Sequence, residues 1–234
     1  FWAISIHTVT AFLFSANPAR PFWHTALLGP RFIASAFVSG PALIIITMQL
    51  VRKLTRYPVS QDVIDTTALV MTVALQISLF FVGAELFTDF YNEGTHAASI
   101  HYLFLGLHGF DALRVWIWTA LIFNVIALVI LMIHPLRKNM VILNIACVLT
   151  FVGIWIEKGM GLVVPGFIPT PLGEIFEYAP TTTELAVSLG IWAIGLLIFT
   201  VLAKASIPIE LGDVRSTHAE QTKKHIDPLP KLQT

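Results

Sequence analysis

The sequence predicts an all-α fold, a polytopic membrane helix bundle with five complete transmembrane helices and one truncated N-terminal helix. Three observations predict it. Apolar residues make up 56 % of the 234 residues and charged residues 12 %, about half the ~25 % charged share of an ordinary soluble domain. The apolar residues gather into runs close to the ~20 residues that a ~30 Å hydrocarbon layer needs. Lys and Arg concentrate in alternate connections between those runs.

The first element, Phe1 to about Ser15, stops at Asn17-Pro18. It opens inside an apolar run with no basic stretch before it and no small-residue cleavage site after it, so it is a poor signal peptide. It reads as the outer part of a membrane helix whose start lies before Phe1. The second helix runs from about Leu28 to Val51, and its Ser39-Gly40-Pro41 step should kink it, because Pro41 removes an amide donor. The third runs from about Val63 to Phe90 with Gln76 near its middle. The fourth runs from about Gly109 to Ile133 with Asn124 past its midpoint. The fifth covers about Asn139 to Val164 and the last 184–205. The polar, proline-bearing stretch 206–234 reads as a solvated tail.

Arg52, Lys53 and Arg56 lie in one connection, Arg137 and Lys138 in another, and Lys204, Arg215, Lys223, Lys224 and Lys231 after the last helix. If every helix spans, these share one side, and positive-inside bias makes it cytoplasmic. The opposite connections are longer and acidic or aromatic, with Arg20, Arg31 and Arg114 as exceptions. Lys plus Arg (14) and Asp plus Glu (14) balance, which leaves no basic footprint for nucleic acid. A single cysteine, Cys147, excludes an intrachain disulfide, a CxxC zinc site and a cysteine-ligated iron–sulfur cluster within this chain.

Few residues could carry chemistry. His7 sits inside an apolar helix, where an imidazole needs a partner or a task. It could donate to a quinone carbonyl and relay a proton, or bond a carbonyl of a neighbouring helix as a structural residue. Glu85 and Asp89 are four apart and share a helix face. Asp111 and Arg114 can pair with each other, or Arg114 can reach Glu85 or Asp89 across the bundle. These four residues read either as a proton path or as ion pairs at headgroup level. Gln76 and Asn124 suit interhelical hydrogen bonds. The stretch Glu157–Glu174, rich in Gly and Pro, reads as a shaped loop that ends in interface aromatics or forms a docking surface. No nucleotide loop, catalytic triad or metal-ligand box is present, so chemistry from this chain alone is not expected.

Several segments resemble the NrfD family, the integral membrane subunits of polysulfide-reductase-type complexes. They are Ser5-Ile6-His7-Thr8-Val9-Thr10-Ala11-Phe12, the aromatic loop Pro21-Phe22-Trp23-His24-Thr25, and the small-residue helix Gly29-Pro30-Arg31 to Gly40. Trp155-Ile156-Glu157-Lys158-Gly159, Val164-Pro165-Gly166-Phe167-Ile168-Pro169 and the exit Ala203-Lys204-Ala205 with Ile207-Pro208 extend the likeness. The resemblance implies two four-helix bundles, no haem or metal bound by the chain, and electron exchange between menaquinol and a periplasmic ferredoxin-like iron–sulfur subunit. Cytochrome and other subunits of a sulfite-reduction-associated complex are further implied partners. On this reading 1–15 is the last helix of a first bundle, 16–27 an outer loop, 28–164 the second bundle and 165–183 an outer docking loop. His7 is the implied quinone-binding residue. Trp23, His24, Glu157, Lys158 and Phe167 fall to partner docking. Glu85, Asp89, Asp111 and Arg114 lie where a proton path would open. The implied location is the prokaryotic cytoplasmic membrane, with the C-terminus cytoplasmic.

Two other function classes compete. An ion-coupled transporter would use Pro41, Gln76 and Asn124 to line a substrate path, but only one interrupted helix and no repeat is visible. A b-type cytochrome would use His7 with His101 or His108, three histidines that all lie towards one membrane face.

Overall fold

A computed structural model describes residues 1–55, 57–92, 97–170 and 172–212. Arg56 and the tail cations Arg215, Lys223, Lys224 and Lys231, used above for orientation, lie outside the described residues, as does most of the 206–234 tail. Among the described residues the fold is all-helical. The helices are α1 (Trp2–Ser15), α2 (Leu28–Leu54), α3 (Gln61–Asn92), α4 (Ala97–Phe104), α5 (Ala112–Met132), α6 (His134–Lys138), α7 (Met140–Lys158) and α8 (Thr182–Glu210). Five stretches are long and apolar enough to cross a membrane: Leu28–Leu54, Gln61–Asn92, Ala112–Met132, Met140–Phe167 and Thr182–Glu210. The protein is a multi-pass membrane protein with a shorter apolar helix, Trp2–Ser15, ahead of the spans.

Within 1–179, α2 packs on α3 and α7, α5 packs on α7 and α3, and α1 lies along α2. Each of α2, α3, α5 and α7 thus touches two of the others, which closes a four-helix ring. Two apolar clusters fill it. One joins Val38, Ile45, Ile64, Met71, Leu131 and Leu143. These lie towards the ends of α2 and α5 and the starts of α3 and α7, so this is the basic end, with Arg52, Lys53, Arg137 and Lys138. The other joins Leu28, Tyr102, Leu113, Ile117, Ile156 and Leu162 at the opposite end.

That opposite end is capped. A 3-10 turn (Pro21–Trp23), α4, a π turn (Gly159–Val163) and a second 3-10 turn (Pro165–Phe167) fold over the helix ends. The Trp23 indole donates to the Leu162 carbonyl at 2.8 Å, and the Ser99 hydroxyl donates to the Ile168 carbonyl at 2.8 Å. Gly166 is required here, since a Cβ at that position would strike the Trp23 ring. Glu177 accepts from the Asp111 and Ala112 amides at 3.0 and 3.2 Å, satisfying two of the free N–H groups that open α5. The sequence pattern predicts no helix at 97–104; that stretch is α4, short but well buried, with Tyr102 and Leu103 in the cap.

Helix α2 runs unbroken through Pro41. The proline leaves the Phe37 carbonyl without its helical donor, and the Ser39 hydroxyl turns back to the Ser35 carbonyl at 3.1 Å. At α7, the Asn139 side chain accepts from the Val141 and Ile142 amides at 3.0 and 3.4 Å, an N-cap that follows from an Asn placed before an apolar run. The second unit, 180–234, holds α8. Thr181 and Glu184 form a reciprocal capping box at its start, and the helix continues to Glu210, past the expected end near residue 205.

Candidate functional site

Two polar features interrupt the apolar packing. The first is His7. A groove of about 340 Å³ lies between α1 and α2, and His7 is the polar side chain on its wall, facing residues such as Ile33, Phe37, Gly40 and Pro41. Gly40 has open space where a side chain would stand, which keeps that wall low. His7 Nδ1 lies 2.8 Å from the Ala3 carbonyl. A carbonyl only accepts, so Nδ1 carries the proton in this pair. The free ring nitrogen is then Nε2, which in neutral imidazole is an acceptor. The Ala3 carbonyl lies one turn back in α1 itself, not in a neighbouring helix as the structural reading expected.

The second feature is a layer of charge between the two apolar clusters. Arg31, near the start of α2, reaches Glu85 of α3 through Nη1 and Glu157 of α7 through Nη2, the latter at 3.1 Å. Glu157 also lies 3.5 Å from Lys158 Nζ and 3.4 Å from the Asn124 side-chain amide of α5. Lys158 in turn sits 4.9 Å above the Phe32 ring, a cation–π contact. Arg31 is 3 % exposed, Glu85 6 % and Glu157 0 %. All four ring helices contribute: α2, α3 and α5 one member each, and α7 two, Glu157 and Lys158. Two cations face two carboxylates, so the layer is neutral overall. Neutrality is required, because one unpaired buried charge costs several kcal/mol (order of magnitude). Arg31 Nε and Asn124 Oδ1 have no hydrogen-bond partner among the described residues, so the layer retains unused polar capacity.

The sequence placed these residues differently. Glu85 was expected with Asp89, Asp111 and Arg114. The structure gives Glu85 to Arg31, while Arg114 pairs with Asp111, one of the partners expected for it, at 3.7 Å on the exposed surface. Asp89, one turn from Glu85, is half-buried. Of the residues assigned to docking, His24 and Phe167 are exposed. His24 Nδ1 bonds the Ser15 carbonyl at 2.9 Å, and Arg20 stacks on the Phe167 ring at 4.9 Å. Trp23 is 3 % exposed and Glu157 has no exposed surface, so in this fold neither can touch a partner. Both are needed inside, Trp23 to hold the cap and Glu157 to balance Arg31. Lys158 is mostly covered for the same reason. Arg31 went unrecognised as a site residue because it read as an exception to the loop charge bias. The signal was available: an arginine within an apolar helix demands a buried carboxylate, and Glu85 and Glu157 were the candidates.

His101 stacks edge-on against Phe90 at 4.9 Å, and His108 occupies a left-handed backbone position (φ 52°) in the turn before α5. Among the described residues, no group of three His, Cys, Asp or Glu side chains could hold a metal ion.

The family profile described as "Polysulphide reductase, NrfD" matches residues 1–168. The chain is 26 % identical over 220 residues to a Halobacterium salinarum protein described as a membrane subunit of dimethyl sulfoxide reductase, covering 84 % of this chain and 49 % of that one. It is 24 % identical over 224 residues to the Hdr-like menaquinol oxidoreductase integral membrane subunit of Archaeoglobus fulgidus (87 % of this chain, 54 % of that one). It is 24 % identical over 241 residues to a selenate reductase subunit of Mesobacillus selenatarsenatis (98 % and 53 %). The chain thus spans about half the length of the curated relatives it matches.

Proposed function

This chain belongs to the NrfD family of polysulphide-reductase-type membrane subunits, and on that premise we propose that it is part of the quinol-reactive membrane subunit of a respiratory oxidoreductase complex. The observation that carries the reading is the apolar groove between α1 and α2 with His7 as its polar side chain. A quinol is a flat apolar ring with two hydroxyls. Its ring and prenyl tail match Ile33, Phe37 and Ile44. A hydroxyl can donate to His7 Nε2 because Nδ1 is already committed to Ala3. Oxidation removes two electrons and two protons from the quinol. His7 Nε2 accepts one proton and passes it outward, the second proton leaves to water at the open side of the groove, and the two electrons pass to a periplasmic ferredoxin-like iron–sulfur subunit. A relative named as a menaquinol oxidoreductase subunit supports menaquinol as the substrate.

The finer placement follows the sequence likeness. The segments Trp155–Gly159, Val164–Pro169 and Ala203–Pro208 are most like DsrP, the membrane subunit of DsrMKJOP, which suggests a role in sulfur or sulfite metabolism beside cytochrome partners. The capped end would face the periplasm and the C-terminus the cytoplasm of a prokaryotic cytoplasmic membrane. Exposed His24 and Phe167 would meet the iron–sulfur partner. Proton exchange would use Glu85 as its buried member, Asp89 one turn away, and Asp111 with Arg114 at the surface. Acid–base assistance of this kind contributes roughly 10²–10⁴-fold. His7→Ala in the full-length subunit within its complex should therefore lower quinol oxidation by at least about 10²-fold. Electron transfer among the other subunits should be intact. An unchanged quinol rate overturns the assignment.

A further inference from the structure

A second cavity, of about 510 Å³, lies at the basic end between the last turns of α2 and the first turns of α7. Its chemistry is amphiphilic. Arg52 and Lys53 stand on one side, and Ile46, Leu50 and Val141 supply apolar wall. Gln49 and Asn144 also line it, joined by reciprocal amide hydrogen bonds of 2.8 and 2.9 Å. Each amide has two N–H donors and the pair uses one of each, so two donors are left over. Arg52 donates to the Gln61 side chain at 3.2 Å. Among the described residues, neither Arg52 nor Lys53 is paired with a carboxylate. Helix α7 begins at this cavity, adding the partial positive charge of a helix N-terminus. Two unpaired cations, spare N–H donors and a helix start all favour an anion with several acceptor oxygens.

We propose that this cavity holds the headgroup of an anionic phospholipid. The phosphodiester would lie against Arg52, Lys53 and the Gln49–Asn144 pair, and an acyl chain along Ile46, Leu50 and Val141. A free phosphate would leave those apolar walls unfilled, whereas a lipid fills both halves. The location suits it, because α2 and α7 are both long and apolar enough to cross a membrane, and basic pockets between such helices take anionic headgroups. Nothing in the inference depends on quinol chemistry.

The test is native mass spectrometry of the purified full-length subunit, titrated with phosphatidylglycerol or phosphatidylethanolamine in detergent. The wild type should retain phosphatidylglycerol over phosphatidylethanolamine, and inorganic phosphate should not displace it. The double variant R52Q/K53Q should bind phosphatidylglycerol on the order of 30-fold more weakly, from about one cation's worth of attraction each. R137Q/K138Q removes the same charge from neighbouring α6, outside the cavity, and should bind as the wild type does. Val141→Trp fills the cavity without changing charge and should also release the lipid. Equal binding by R52Q/K53Q, equal loss in R137Q/K138Q, equal retention of phosphatidylethanolamine or displacement by phosphate would each overturn the proposal.

Discussion

Replacing Arg31 tests the buried charge layer most sharply. The guanidinium holds both Glu85 and Glu157, and among the described residues the other cation of the layer is Lys158, 3.5 Å from Glu157. Arg31→Met keeps most of the side-chain volume and leaves two carboxylates facing one lysine. Removing one partner of a buried ion pair costs about 3–5 kcal/mol, mostly because the charge left behind is uncompensated. That origin implies a rescue. Adding Glu85→Gln restores neutrality, with Glu157 and Lys158 as the surviving pair, so R31M/E85Q should recover most of the loss. The coupling between the two changes should exceed about 2 kcal/mol, within the range found for residues in direct contact. Arg31→Lys should fall between, since an ammonium cannot reach two carboxylates with the fixed fork of a guanidinium. The assay is SDS-titrated unfolding of the purified full-length subunit in mixed micelles. A single variant within about 1 kcal/mol of wild type contradicts the uncompensated-charge argument. So does a double variant whose losses simply add.

Three further outcomes follow from particular contacts. Gly166→Ala places a Cβ on the Trp23 ring and should destabilise the cap by about 1–3 kcal/mol, the usual range for overpacking, read by the same unfolding assay and by faster proteolysis at the capped end. Asn139→Ala removes the cap of α7 and should cost about 1 kcal/mol in the same titration. Tyr102 lies in the cap, where burial first, then the charges of Glu177 and Asp111, pushes its phenol above the ordinary value. A raised folded-state pKa means that this contribution to stability is complete below the unfolded pKa and is lost as pH rises through the folded one. Absorbance near 295 nm should show one late-titrating phenol above about pH 10, absent in Tyr102→Phe.

The helices were legible because the bilayer imposes a simple rule of length and apolarity, and the spans at 28–54, 61–92, 112–132, 140–167 and 182–210 obey it. The cap was less so. A short helix such as Ala97–Phe104 has too few residues for a clear period, and its existence depends on Tyr102 and Leu103 finding cover from distant segments. The apolar run on either side of Pro41 predicted one helix from about Leu28 to Val51, and α2 continues through the proline. In the candidate site, His7 was visible as an imidazole in an apolar run. The Arg31 layer was not, because its members are separated by 54 and 126 positions and each had an adequate local explanation. Arg31 read as a stray exception to the loop charge bias, and a Gly- and Pro-rich loop accounted for Glu157. What assigns them to one another is the cap, which closes over the helix ends and takes the charges out of reach of water.

The central claim is that quinol is handled in the α1–α2 groove beside His7. Photolabelling of the full-length protein in its complex with an azido-menaquinone analogue, followed by peptide mapping, tests it most directly. Label should fall on Trp2–Ser15 or on the α2 stretch from Ile33 to Ile44, competed by excess menaquinol and reduced in His7→Ala. Competed label confined to other helices, with none on either segment, would contradict it.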